Sequence, residues 1–211
     1  MKPQQSGFTL VEIAIVLVII GLLLGGVLKG QELINSARAK SIVNDLRNTA
    51  TMVTAYQDRF RALPGDDAAA SSHLQNTTSA ENGNGNGTIE GNFDSSTITD
   101  ESSKLWAHLR RANLASGDAT LANDWQPRNS DGGRIGVTSS APATGMYGRL
   151  FVCQAAVSGR VALQVDTTMD DGNPATGSVR FGSMTGTTLN QASTASGPIA
   201  DADLFTICSA F

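Results

Sequence analysis

A chain of 211 residues, 40% of them hydrophobic, has room for one globular domain and an anchoring segment but not for a second full domain. A formal net charge of −4 and a pI near 5.1 exclude a general nucleic-acid binder, which needs a basic field to attract phosphates. Charged residues make up only 16% of the chain, while Gly, Ser, Thr, Asn and Ala crowd its middle, a composition that suits an exported, loop-rich surface better than a cytosolic enzyme.

The chain begins with a short polar stretch, MKPQQSG, that carries Lys2. Residues 8–28 follow as an apolar run long enough to cross a bilayer, yet Glu12 sits near its start. A carboxylate there costs a few kcal/mol and calls for a partner. No lysine or arginine lies within one helical turn of it, so the sequence points outside the chain for that partner. No A-x-A pattern follows Leu28, and a helical-looking segment runs straight on, so the apolar run is retained and not removed as a secretory signal. Lys2 marks the cytoplasmic end and places the rest of the chain outside the cytoplasm.

The hexapeptide Gly7-Phe8-Thr9-Leu10-Val11-Glu12 behind a short basic leader resembles the processing site of the type IV pilin and pseudopilin family. The resemblance implies cleavage between Gly7 and Phe8 by prepilin peptidase and methylation of the new Phe8 amine. It gives Glu12 an assembly role: as helices pack into a filament, its carboxylate would neutralise the Phe8 amine of a neighbouring subunit, since a paired charge is tolerated where an unpaired one is costly. The partners implied are prepilin peptidase and other pilin subunits. The implied location is a single pass in the inner membrane, with the head outside the cytoplasm, and then a periplasmic or cell-surface filament. Many family members have a proline where this chain has Lys29, so the resemblance fixes no kink there.

Gly21, Gly25 and Gly26 interrupt the apolar run and allow bending or close helix approach. Beyond Lys29, the spacing of Ile42, Leu46, Thr49, Val53, Tyr56, Phe60 and Leu63 predicts one apolar stripe on a helix whose other face carries Arg38, Lys40, Arg47, Asp58 and Arg59. Pro64-Gly65 is expected to end it. A continuous helix from residue 8 to about 62 would be on the order of 80 Å long.

Residues 65–100 are rich in turn formers and read as a long surface excursion. Residues 101–114, ESSKLWAHLRRANL, predict a short amphipathic helix with Leu105, Trp106, Leu109 and Leu114 inward and Arg110-Arg111 on a solvated face. Within the excursion, residues 82–90 place oxygen-bearing Asn82, Asn84 and Asn86 at alternate positions, with Glu90 following, as a calcium loop does. Asparagines stand where such loops have aspartates and Phe93 occupies the twelfth place, so calcium is a weak expectation beside a plain Asn/Gly turn.

In the last third, residues 149–156, 178–184 and 203–209 read as strands. Residues 161–169 fit either a strand or a helix. ALPGD at 62–66 together with MDDGNPATGSVR at 169–180 is similar to stretches of one subgroup of prepilin-like proteins, and this favours the helix. In an exported head, Cys153 and Cys208 read as one disulfide, worth roughly 4 kcal/mol in the chain-entropy model, with two buried thiols the alternative. His73 and His108 have no cysteine or acid at metal-ligand spacing, and Asp166, Asp170 and Asp171 read as an acidic turn, so no enzyme is expected.

These readings predict an α+β chain with a leader at 1–7, a transmembrane or filament-core helix at 8–28, its amphipathic continuation at 29–63, and a pilin-like head at 64–211 built on a small antiparallel sheet. The function they imply is structural: a pilin, minor pilin or pseudopilin of a type IV pilus or type II secretion filament. A membrane-anchored extracytoplasmic calcium- or ligand-binding module that does not polymerise is the alternative.

Overall fold

The computed structural model describes residues 9–119, 126–192, 199–200 and 202–211. By its contacts the chain forms two units, Met1–Ala37 and Arg38–Phe211. Helix α1 is assigned over Leu10–Phe60. In the first unit its side chains from Leu10 to Leu28 are all exposed. In the second unit, Ile42, Leu46, Thr49, Val53 and Tyr56 of the predicted stripe are buried, joined by Ala39 and Val43, while Phe60 is half-buried.

The helix stops three residues before the predicted end, and not at the Pro-Gly pair. Arg61 takes a left-handed conformation at φ 59°, and its N–H donates to the Gln57 carbonyl at 2.8 Å, closing the last turn. Leu63 is buried all the same, from the loop that follows.

Residues 64–100 are not the surface excursion that their composition suggests. Ala70, Leu74, Ile89 and Phe93 are all buried, and the short helix α2 (Ala70–His73) and a 3-10 turn (Ser79–Glu81) lie among them. The loop wraps helix α3 (Glu101–Arg111), whose residues 101–109 are all buried. Leu105, Trp106 and Leu109 face inward as expected, but Ser102, Ser103, Lys104 and His108 are covered as well. An Asn/Gly-rich loop can enclose a helix only if buried carboxylates and a ring nitrogen take up its backbone N–H groups, and that is the arrangement found here.

Strands β1 (Ile135–Thr138), β2 (Phe151–Ser158), β3 (Val179–Thr185), β4 (Thr188–Gln191) and β5 (Leu204–Ala210) form one antiparallel sheet in the order β1-β2-β5-β3-β4. The last strand thus lies at the centre. Helix α4 (Gly159–Met169) joins β2 to β3 and settles the ambiguous stretch as helix. Alternation divides the sheet's residues between two clusters. Val152, Val179, Phe181 and Ile207 join Ile42, Leu46, Leu105, Val161 and Val165 in the main core, whereas Phe151, Cys153, Leu189 and Cys208 join Phe93, Ala143 and Met146 in a second one.

Candidate functional site

At the start of α1 the chain itself supplies a partner for Glu12, a threonine and not a basic residue. The Thr9 N–H donates to Glu12 Oε2 at 2.9 Å and the Thr9 hydroxyl donates to the same oxygen at 2.8 Å, while the Glu12 N–H donates to Thr9 Oγ1 at 3.3 Å. This is a reciprocal capping box, and its signal was legible as T-x-x-E before an apolar run. Both bonds fall on Oε2, so Oε1 has no hydrogen bond among the described residues. Gly21, Gly25, Gly26 and Gly30 have nothing within 4 Å of where a Cβ would stand, so no contact in the monomer requires glycine there. Gly7 and Phe8 lie outside the described residues.

In the second unit, Cys153 and Cys208 are bonded to each other across the register of β2 and β5, where they are direct partners. The bond therefore joins two neighbouring central strands and does more than tether a loose tail.

The two histidines flank the ALPGDD stretch, His108 fully buried and His73 exposed at its edge. Asp67 accepts the Tyr56 hydroxyl at 2.8 Å and contacts His73 Nδ1 at 2.7 Å. Burial pushes the Asp67 carboxyl up, but hydrogen bonds from His73, Tyr56 and the Ala69 N–H outweigh it and hold the carboxyl below its ordinary range. His108 Nδ1 accepts the Gly65 N–H at 2.9 Å, and its Nε2 lies 3.1 Å from the Glu81 carbonyl. That pairing requires a neutral ring with the proton on Nε2, and burial lowers the pKa to about 4 to match. The arginines of α3 are both tied down by hydrogen bonds. Arg111 pairs with Glu81 at 2.8 Å with little exposure and so leaves the solvated face expected of it, while Arg110 is half-buried and donates at the surface to the Ser116 and Asp118 carbonyls.

The Asn/Gly loop is clipped by its own hydrogen bonds. Asn82 Oδ1 accepts the Ser71 N–H, Asn84 Oδ1 accepts the Asn86 N–H, and Asn86 Oδ1 accepts both the N–H and the hydroxyl of Thr88. The amide nitrogens of Asn84 and Asn86 donate to the two carboxylate oxygens of Glu90. Asp66 accepts the Asn86 and Gly87 N–H groups, and Glu101 accepts those of Asn84 and Glu90. A third cluster lies at the end of α4, where ligand oxygens of Asp166, Asp170 and Asp171 all lie within 4.8 Å of one another. Asp166 is fully buried and neither of its carboxylate oxygens has a hydrogen-bond partner among the described residues. Burial, and then the charges of Asp171 and Asp170, push its pKa up to about 7.

No curated protein and no solved structure matches the chain. A family model does match at the N-terminus, over the stretch that holds Lys2, the hexapeptide and the exposed apolar half-helix. Residues 2–28 are thereby a prokaryotic N-terminal methylation motif, and the chain carries the signature of type IV pilins and pseudopilins.

Proposed function

We propose that this chain is a structural subunit of a type IV pilus or related secretion filament, held in the inner membrane by its apolar half-helix until it is assembled through that helix. The match of residues 2–28 to the methylation motif carries the reading. The exposure of every side chain from Leu10 to Leu28 supports it. Leu10, Leu22 and Leu28 are 91%, 73% and 67% exposed, and a contiguous apolar surface of this kind needs lipid or other protein over it. The segment is the one stretch among the described residues long and apolar enough to cross a membrane.

In this reading, prepilin peptidase cuts after Gly7, and the methylated Phe8 amine of one subunit meets Glu12 of the next. The capping box supports the pairing: Thr9 fixes the rotamer of Glu12 through Oε2 and leaves Oε1 for the incoming ammonium. A bare carboxylate among packed apolar helices would be costly, so that contact sets the axial register.

Mass spectrometry of the exported chain is expected to find Phe8 as a methylated N-terminus, and an intact Met1 or a cut after Leu28 would end the reading. Glu12→Leu is expected to be processed and inserted normally but to lower the yield of sheared filaments at least tenfold. Undiminished filaments from that variant would refute the charge pairing. Correct processing with no filaments from the wild type would favour a non-polymerising anchored module.

A further inference from the structure

We propose that the C-terminal end of α4 and the turn after it form a calcium site, to which Asp166, Asp170 and Asp171 each supply a carboxylate oxygen. The proposal does not depend on the filament reading. Asp166 is its strongest support. A fully buried carboxylate normally keeps its place by accepting hydrogen bonds or facing a cation, but both oxygens of Asp166 are unpartnered and the groups that gather around it are two more carboxylates. Repulsion among three like charges makes no sense as a fold stabiliser. It does make sense as the empty half of an ion pair.

The spacing fits an ion. Oxygen ligands at about 2.4 Å from a common centre can be no more than about 4.8 Å apart, which is the range within which the three carboxylates fall. An all-oxygen donor set selects a hard cation. The shorter bonds and strict octahedron of magnesium fit a cluster this open less well than the flexible shell of calcium. The end of a helix also carries partial negative charge, which favours a cation there.

The rest of the turn is organised before any ion arrives. Asp170 Oδ2 accepts the N–H groups of Ser178 and Val179, fixing that carboxylate while its Oδ1 makes no hydrogen bond among the described residues. Asp171 accepts the Asn173 N–H at 2.9 Å and the Thr176 hydroxyl at 2.5 Å. Gly177, at φ +74°, leaves room for the Asp170 carboxylate, which a Cβ would strike. Arg180, whose charge acts on Asp171, has its guanidinium committed to the carbonyls of Gly177, Thr144 and Gly145. Its donors are thus spent on carbonyls and not on the three carboxylates.

The test is calorimetric titration of the chelator-stripped full chain in detergent with calcium chloride, paired with thermal melting. The expected result is one site with Kd between about 10⁻⁴ and 10⁻³ M, and a rise in Tm of roughly 3–10 °C at 10 mM calcium. The same concentration of magnesium should give a clearly smaller rise. Asp166→Asn should weaken calcium binding at least tenfold without lowering the Tm in chelator, because it removes a buried charge and no hydrogen bond. Asp171→Asn, at an exposed position, should weaken binding as well and carries no risk to the core. An Asn84→Ala, Asn86→Ala double variant should bind as the wild type does. Absence of any calcium-dependent heat or Tm change, an Asp171→Asn variant with wild-type affinity, an equal response to magnesium, or loss of binding in the asparagine variant instead would each overturn the assignment.

Discussion

At the scale of single residues, the buried polar groups are the informative ones. His108 is neutral because its Nδ1 accepts the Gly65 N–H inside a covered site. A histidine depressed from 6.5 to about 4 binds fewer protons in the folded than in the unfolded state. Its contribution to stability is therefore complete above pH 6.5 and lost as the pH falls towards 4, by about 3 kcal/mol. The ring resonances of His108 should stay in their neutral position until close to pH 4. The stability difference between wild type and His108→Gln should shrink over the same interval, which isolates this group from carboxylates titrating there. Gly65 sits at φ +89°, and a Cβ on it would lie 2.2 Å from the Glu101 carbonyl oxygen. Gly65→Ala should therefore destabilise the head by about 2 kcal/mol or more, visible as a lower denaturation midpoint with the same slope. At the other end, Thr9→Val removes the hydroxyl of the capping box and should weaken the first turn of α1 by about 1 kcal/mol. Faster amide exchange at Glu12 in micelles would show it.

At the scale of elements, α1 and α3 teach different lessons. The stripe on α1 was legible because a 3.6-residue period needs only a list of apolar positions. Its end was misread because Pro64-Gly65 is a strong breaker signal, whereas an arginine in the left-handed region is a weak one. Arg61→Gly should remove that backbone strain and raise stability by about 1 kcal/mol, or roughly 2–4 °C in Tm. Helix α3 looked amphipathic, since sequence pattern treats serine, lysine and histidine as outward residues. Lys104 is buried because its ammonium donates to the Asn82 carbonyl at 2.7 Å, and a partner 22 residues away leaves no local trace. Strands β1 and β4 escaped notice for a related reason. Four-residue strands carry too few alternations to stand out, and each forms only when a longer neighbour offers it a ladder.

At the scale of the whole molecule, the topology changes what the disulfide does. With β5 between β2 and β3, the Cys153–Cys208 bond lies in the middle of the sheet and next to the second apolar cluster. Cys208→Ser should lower global stability, by up to about 4 kcal/mol for a loop with a sequence separation of 55, and should not merely fray the last residues. Amide exchange should accelerate together in β2, β3 and β5. Acceleration confined to residues after Cys208 would contradict this placement. The sequence by itself determined the N-terminal methylation motif, the stripe of α1, the three longer strands and the pairing of the only two cysteines, because each of these is written in neighbouring residues, a short period or a forced choice. Only the tertiary structure decided that the Asn/Gly loop encloses α3, that His108 is a core group, and that Asp166 is buried beside two other carboxylates. Those outcomes depend on which distant backbone groups need a partner once water is removed, and no local pattern records that.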